Sequence, residues 1–425
     1  MKNHHSIMKK SLKVFSIVFV LLAQFTLAQN TFKEYKGTVV DNDTGDKLVF
    51  ANLALEDTNI STITNNEGEF LLKVPTSIQS GDVKVSFLGY QSKTIPLSSL
   101  NGNTRIRLDV SVIELSAVNV EMPKNAKELV KEVLKKGKDN NIDEATLMTA
   151  FYRETIKKRR RNVSLTEAVV DVYKQPYSSL RRDIVSLHKA RKSTDYKRLD
   201  TVAVKLQGGP FTTLFVDMMK YPEYLFSKES IDDYHFVFDR HTTVNDKLIY
   251  VIRFYQKENI YRPRYYGKLY IDAESKALTS AVYSLNVENR EEASRWFVRK
   301  KPADTDVYPT EASYRVDYRV SNGKWYYGYS NVQLAFKVKK KRKWFNSIYT
   351  LSSEMAITDW KKNPNGISAR PRDRMKPSIV ISDEASGFSD PDFWGQYNVI
   401  EPEKSIESAI KKIQKQLRRL ERQGS

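Results

Sequence analysis

From Tyr35 to Val120 apolar and polar residues alternate in short runs, with turn residues recurring about every 8–12 positions, the spacing of short antiparallel strands. Tyr35-Lys36-Gly37-Thr38-Val39-Val40 is one run, Val49–Leu55 a second, Glu69–Val74 a third and Val83–Phe87 a fourth. Ile106, Leu108 and Val110 share one face of a later strand. The pattern predicts about seven short strands packed as a β-sandwich. The stretch TNNEGEFLLKVP, Thr64–Pro75, shows how one corner is made. Asn65 and Asn66 tolerate unusual backbone angles, and Gly68 supplies a positive φ without steric cost. Phe70 and Leu72 then face one side, with Leu71 and Lys73 on the other, and Phe70 is the expected core plug.

The pattern lengthens after Pro123. Leu129, Val130, Val133 and Leu134 repeat at helical spacing and predict a linker helix within 123–141. Leu147–Ile156 and Val163–Lys174 read as two strands around the basic turn Lys157–Arg161. A helical stretch is expected at Phe211–Leu225. Long strands come next, at Leu248–Lys257, Gly267–Ala273, Ala277–Val287, Ser294–Lys300, Glu311–Ser321, Lys324–Lys337 and Trp344–Ile357. The alternation is clearest in Glu311–Val320. Tyr314, Val316 and Tyr318 point one way, with Ala312 and Val320; Glu311, Ser313, Arg315, Asp317 and Arg319 point the other. One face is therefore apolar and the other wet. Tyr314, Val316 and Tyr318 are the candidate face for an apolar or lipid-like ligand.

The two ends carry their own signals. Lys2, Lys9, Lys10 and Lys13 precede the apolar run Val14–Ala23, and Thr26-Leu27-Ala28 closes it. That order reads as a secretory signal peptide over residues 1–28. It implies export, to the periplasm or the outer membrane. At the other end Ile406, Ile410, Ile413, Leu417 and Leu420 alternate with lysines and arginines, a basic amphipathic helix within 401–425. Docking on the protein, pairing with a partner helix and lying on a lipid surface are all open to it.

Composition narrows the chemistry. The chain of 425 residues has no cysteine, so disulfides, thiol nucleophiles and cysteine-held metals are excluded. The net charge is +19, and loss of residues 1–28 would remove four of those charges. Export sets nucleic acid aside as a partner and favours an envelope protein or an anionic lipid surface. Lys339, Lys340, Lys341, Arg342, Lys343 and Trp344, at an expected hairpin tip, are the candidate contact with such a surface.

No constellation for catalysis stands out. Of the five histidines, His188, His235 and His241 lie beyond the leader, and none has metal-ligand spacing. The turn Asp41–Asp46 lacks the glycine and glutamate of a calcium loop and reads as a solvated turn. Asp390 and Asp392 flank a proline and read as a turn held by Phe393 and Trp394. Arg153 and Glu154 are neighbours on one strand and face opposite sides, so they do not pair with each other; one of them is expected to be buried with a distant partner, Glu167 or Asp171, as a structural ion pair. No catalytic, cofactor or metal residue is assigned.

The segments GTVVDNDTGDKLVFANLALEDTNISTITNNEGEFLLKVP, VSFLGYQS and IELSAVNV resemble the carboxypeptidase-regulatory-like domain, a transthyretin-like sandwich of Gram-negative outer-membrane proteins. The resemblance implies a folding, docking or spacer module. GKLYIDAESKALTSAVYSL is similar to a hairpin of the periplasmic lipoprotein-carrier half-barrel. The expected protein is mainly β. The transthyretin-like sandwich spans 29–121, and a larger antiparallel, half-barrel-like sheet domain with a few helices spans 122–400. Its expected function is non-enzymatic binding or scaffolding in the envelope. A structural docking component of an outer-membrane assembly, or a hydrolase acting on envelope polymers, are the alternatives.

Overall fold

The computed structural model describes residues 32–102, 104–111, 123–159, 161–194, 207–227, 229–244, 247–299, 301–341, 346–385 and 393–403. The leader, the exit segment IELSAVNV, Arg342–Trp344, Asp390, Asp392 and the C-terminal helix from Lys404 onward lie outside these residues.

The first body has seven strands: β1 (Phe32–Asp41), β2 (Asn52–Leu55), β3 (Ser61–Ile63), β4 (Glu69–Pro75), β5 (Asp82–Ser86), β6 (Lys93–Pro96) and β7 (Thr104–Leu108). They form two sheets, ordered β4-β1-β7 and β3-β2-β5-β6. Phe70 is 1% exposed at the centre of the core between them. Gly68 adopts φ +70°, and a Cβ there would stand 2.8 Å from the Val39 carbonyl oxygen. The corner thus needs glycine for both angle and space. The Asp41–Asp46 turn is exposed at Asn42, Asp43, Thr44 and Asp46, as expected of a solvated turn, and departs from that only at its first residue. Asp41 is buried; its carboxylate accepts from the Asp43 and Thr44 amides and from the Tyr90 hydroxyl at 2.7 Å. Burial and the Asp41 bond together push the Tyr90 hydroxyl up to about 12.

The second body is one antiparallel sheet of eleven strands: β8 (Thr146–Lys158), β9 (Arg161–Lys174), β10 (Ile184–Thr194), β11 (Tyr234–Phe238), β12 (Thr242–Val244), β13 (Lys247–Gln256), β14 (Tyr265–Asp272), β15 (Leu278–Leu285), β16 (Thr305–Ser321), β17 (Lys324–Lys340) and β18 (Ser347–Lys362). Its order is β10-β9-β8-β18-β17-β16-β15-β14-β13-β11, and β12 also pairs with β13. The last strand closes back on the first, β18 on β8, so the chain's two halves meet mid-sheet. The helices are α1 (Ala126–Lys135), α2 (Gly137–Asn140), α3 (Pro210–Leu214) and α4 (Arg290–Phe297). Helix α4 replaces the strand expected at Ser294–Lys300. Asn289 caps it by accepting from the Glu292 amide, and Arg295 pairs with Glu291 and Glu292 on the helix surface.

The apolar sheet face is filled by the chain itself. Val316 and Tyr318 are buried, and Tyr314 stacks on Tyr283 with ring centres 5.1 Å apart. The expectation of an open ligand face at Tyr314, Val316 and Tyr318 is therefore corrected. The cover includes α1, α3 and residues 215–226. The helix expected over Phe211–Leu225 is shorter than its apolar pattern suggests: α3 ends at Leu214, and Pro222 interrupts the segment beyond it. Asp217 anchors this segment. Lys174 Nζ lies 2.6 Å from Asp217 Oδ2 and 2.7 Å from Asp183 Oδ2, and the Tyr318 hydroxyl donates to Asp217 Oδ1 at 2.8 Å. Burial alone would lower the Lys174 ammonium; the two aspartates instead raise it above the ordinary lysine value. The buried lysine stays charged, and its cost is offset by two carboxylates and the faces of Tyr177, Tyr221 and Tyr327.

The sandwich docks on the opposite face of the sheet. Strands β3 and β4 are edges of their respective sheets, and both are covered. Beside β3, Ser61 Oγ donates to the Ile357 carbonyl and Asn59 Nδ2 to that of Trp360. Along β4 runs a strap, residues 393–403. Asn398 Oδ1 accepts from the Lys73 amide at 2.6 Å, and Asn398 Nδ2 donates to the Lys73 carbonyl at 2.9 Å. One side-chain amide thus supplies what a neighbouring strand would. Ile63, Leu71, Phe151, Val169, Tyr329, Trp394 and Ile400 make the apolar part of the junction.

Asn398→Ala leaves a buried N–H and C=O without partners, at roughly 1–3 kcal/mol per group. Urea unfolding is expected to show that loss, and limited proteolysis is expected to cut the strap first. An unchanged midpoint would show that the amide does not hold the edge. Glu154 faces the filled core, accepts from the Tyr152 hydroxyl at 3.0 Å and is pushed by burial up to about 7 from 4.5. A carboxyl raised in the folded state binds protons more tightly there. The associated stability is full below about pH 4.5 and is lost as the pH rises to 7. Glu154→Gln is expected to match the wild type at pH 4 and exceed it at pH 8 by about 1–3 kcal/mol. Equal stability at both pH values would contradict the burial of a neutral carboxyl.

Candidate functional site

Because the sandwich rests on one flank, its remaining surface stands away from the sheet and leaves a cleft of about 780 Å³. One wall comes from the sandwich, with Asn52, Ala54, Lys84 and Ser86; the other comes from β15, β16 and β17. Of the residues expected on the wet face of β16, Arg315, Asp317 and Arg319 line this second wall, together with Tyr318 and Val320 from the face expected to be apolar. Asp317 Oδ2 accepts from Arg315 Nε at 2.7 Å, and Asp317 Oδ1 accepts from Ser280 Oγ at 2.6 Å. The Arg315 guanidinium lies over the Phe50 ring, 5.3 Å from its centre. Burial acts to lower the Arg315 guanidinium, and its pairing with Asp317 raises it overall.

Arg319 continues the row but is differently placed. It is 9% exposed. Its Nη1 donates to Ser61 Oγ and to the Ile357 carbonyl at 2.9 Å, both neutral acceptors. Its Nη2 has no hydrogen-bond acceptor. Desolvation holds the Arg319 guanidinium below the usual arginine value. The position depends on a bulge in β17. Asp317 pairs with Tyr329 and Tyr318 with Tyr327, so Gly328 is the extra residue. A Cβ on Gly328 would lie 2.7 Å from Arg319 Cγ and 2.9 Å from Cδ. The arginine stem crosses the strand where the strand has no side chain.

A smaller cavity of about 330 Å³ lies between β1, β4 and the strap. Its floor is Arg153, which donates from Nε to Glu167 Oε1 at 2.8 Å and from Nη2 to the Ile400 carbonyl at 2.7 Å. Glu354 Oε1 lies 3.3 Å from Arg153 Nη1, and Arg191 Nη2 lies 2.8 Å from Glu167 Oε2. Burial would raise the Glu167 carboxyl, but Arg153 and Arg191 together hold it below its ordinary value. Of the two partners weighed for Arg153, Glu167 is the one engaged.

The other candidates are scattered. Exposed His188 meets the Tyr397 hydroxyl at 2.8 Å, and exposed His235 packs against Tyr255 at a sheet edge. Lys339, Lys340 and Lys341 do lie at the end of the β17–β18 hairpin, with the Lys339 ammonium 5.9 Å from the centre of the Tyr308 ring. Among the described residues no three His, Cys, Asp or Glu side chains are grouped to hold a metal. The cleft itself was missed in the sequence. Its signal was the run Arg315-Val316-Asp317-Tyr318-Arg319, three charged residues in register, with the tyrosine-flanked Gly328 shortly after it.

Residues 35–120 match the family model described as the CarboxypepD_reg-like domain. Over 115 residues, a quarter of its length (25%), the chain is 34% identical to the TonB-dependent receptor SusC of Bacteroides thetaiotaomicron. It spans 11% of the length of that relative. Two solved structures share the antiparallel sheet at low likeness. A DUF1329 family protein from Desulfovibrio piger is 8% identical, with a TM-score of 0.23 over 58% of this chain and 96% of that one. Lipovitellin is 7% identical, with a TM-score of 0.26 over 55% of this chain and 27% of that one. At these scores neither carries an argument about a ligand. Residues 35–120 of this mainly β protein are a CarboxypepD_reg-like domain, docked on a large antiparallel sheet.

Proposed function

We propose that this chain is a non-enzymatic binding or scaffolding protein of a bacterial envelope, and that it takes its ligand in the cleft between sandwich and sheet. The cleft carries this reading: an open space of about 780 Å³ whose walls, from two bodies, mix polar and apolar residues. Concave sites of this size between domains are common ligand positions. The similarity of the sandwich to part of a TonB-dependent receptor, and a leader of secretory type, support the envelope setting. The basic end of the β17–β18 hairpin gives a separate approach to an anionic lipid surface.

The groups in the cleft favour binding over turnover. The Asp317 carboxylate is occupied by Arg315 and Ser280, and no histidine lines the space. Glu56 and Asp57 are the other carboxylates on the wall, and neither stands beside a histidine that would form a nucleophile–base pair. The purely structural reading has the sandwich dock another protein. Here the β3 and β4 flank is already spent on the chain's own sheet.

Ala54 lines the cleft and is half-buried. Ala54→Trp fills part of the space without removing a hydrogen bond. Native mass spectrometry of protein recovered from its own envelope is expected to show a bound small component on the wild type. The same component is expected to be reduced at least tenfold on Ala54→Trp with thermal stability retained. Equal loading of both proteins, or none on either, would remove the cleft as the binding surface.

A further inference from the structure

We infer that the cleft holds an anionic oxygen group, a carboxylate or a phosphate, against Arg319. The inference rests on the reading of the cleft as the ligand site and names the chemistry that site would recognise.

An arginine cannot shed its proton in a protein, so a buried guanidinium must be compensated or endured. Endurance is expensive, because an ion taken out of water costs several kcal/mol unless a counter-charge and hydrogen bonds replace the solvent. The other buried arginine, Arg153, has two carboxylates within 3.3 Å. Arg319 has none; its partners are a serine hydroxyl, a main-chain carbonyl and the Tyr326 side chain. Asp317 is the carboxylate that acts on it through space, and both Asp317 oxygens are already engaged by Arg315 and Ser280. The Tyr326 side chain lies beside the guanidinium. One positive charge in the cleft wall thus has no carboxylate bonded to it.

The site is also built rather than incidental. Gly328 sits at the bulge, and the Arg319 stem fills the space a side chain would take. Ser61, from the sandwich, and Ile357, from β18, fix one edge of the guanidinium, so both bodies position it. Nη2 remains without an acceptor. Asn52 lines the same cleft with its Oδ1 also unpartnered, and a half-turn of that amide would present N–H groups instead. A planar fork with free donors matches the oxygens of a carboxylate or a phosphate.

Thermal unfolding of the full chain is measured in chloride, acetate and inorganic phosphate at matched ionic strength. Acetate or phosphate is expected to raise the midpoint beyond chloride, with a saturable dependence in the millimolar range; whichever is stronger identifies the group. Arg319→Met is expected to abolish the saturable response. It should also melt higher than wild type in chloride, since an uncompensated buried charge has been removed. Gly328→Ala keeps the charge but displaces the stem, and is expected to weaken the response at least fivefold. Arg262→Gln, on the exposed connection between β13 and β14 and outside the cleft lining, is expected to leave it unchanged. Equal responses of all three salts, or of Arg319→Met and wild type, would overturn the assignment. So would an Arg319→Met protein less stable than wild type in chloride. If anions fail while Ala54→Trp still loses an envelope component, the cleft reading stands and only its chemistry is wrong. If anions bind equally to Ala54→Trp, the cleft reading fails with Arg319 intact.

Discussion

The structure depends on a buried tie between the large sheet and the strap that closes the sandwich edge, the Arg153 guanidinium. It faces away from the main sheet core, toward the sandwich, and reaches Glu167 on β9, Glu354 on β18 and the Ile400 carbonyl of the strap. Burial works against its charge, and the two glutamates raise it above the usual arginine value. Such a network contributes little net energy compared with an apolar core, but it is unforgiving of the wrong geometry. Its role is to fix where the strap crosses the sheet. The strap in turn closes the β4 edge through Asn398, and the cleft is the space left beside that contact.

Two faces exchanged roles relative to the sequence pattern, for one reason. An apolar sheet face this broad cannot stay open in water, and the chain covers it with its own residues 210–226, clamped by Lys174 and Asp217. The polar face has no such need and is free to receive a second body. One unsatisfied donor then lies on the wet side, at Arg319 Nη2, while others, such as the Tyr250 hydroxyl and Trp360 Nε1, lie in the filled core. Periodicity reports which residues share a face; it does not report what lies over that face.

Much of the architecture was legible. The seven sandwich strands follow from alternation and turn chemistry, and Gly68 follows from the angle its corner requires. The long strands β13 to β18 stand close to where their alternation places them, and the Arg153–Glu167 pair is visible in the apolar context of AFYRET. Helix α4 was misread because the aromatic pair Trp296-Phe297 suggested a strand, while the Asn289–Glu292 cap was the stronger local signal. Strand β10 escaped notice because its residues mix charged and apolar types without a clean period, and β11 because it is a run of only 5 residues, nearly all of them apolar or aromatic. The cleft depends on contacts between residues some 260 positions apart, such as Ser61 with Arg319, which no local pattern encodes.

A binding site shared by two bodies works only if they hold a fixed separation. The chain has no cysteine, so paired spin labels can be introduced cleanly. Glu56→Cys on the sandwich and Val320→Cys on β16 are both exposed and face each other across the cleft. Double electron–electron resonance on this labelled pair is expected to give one narrow distance distribution, as two locked walls require. A broad or bimodal distribution would mean that the sandwich swings on its linker, and the cleft described here would not be a site.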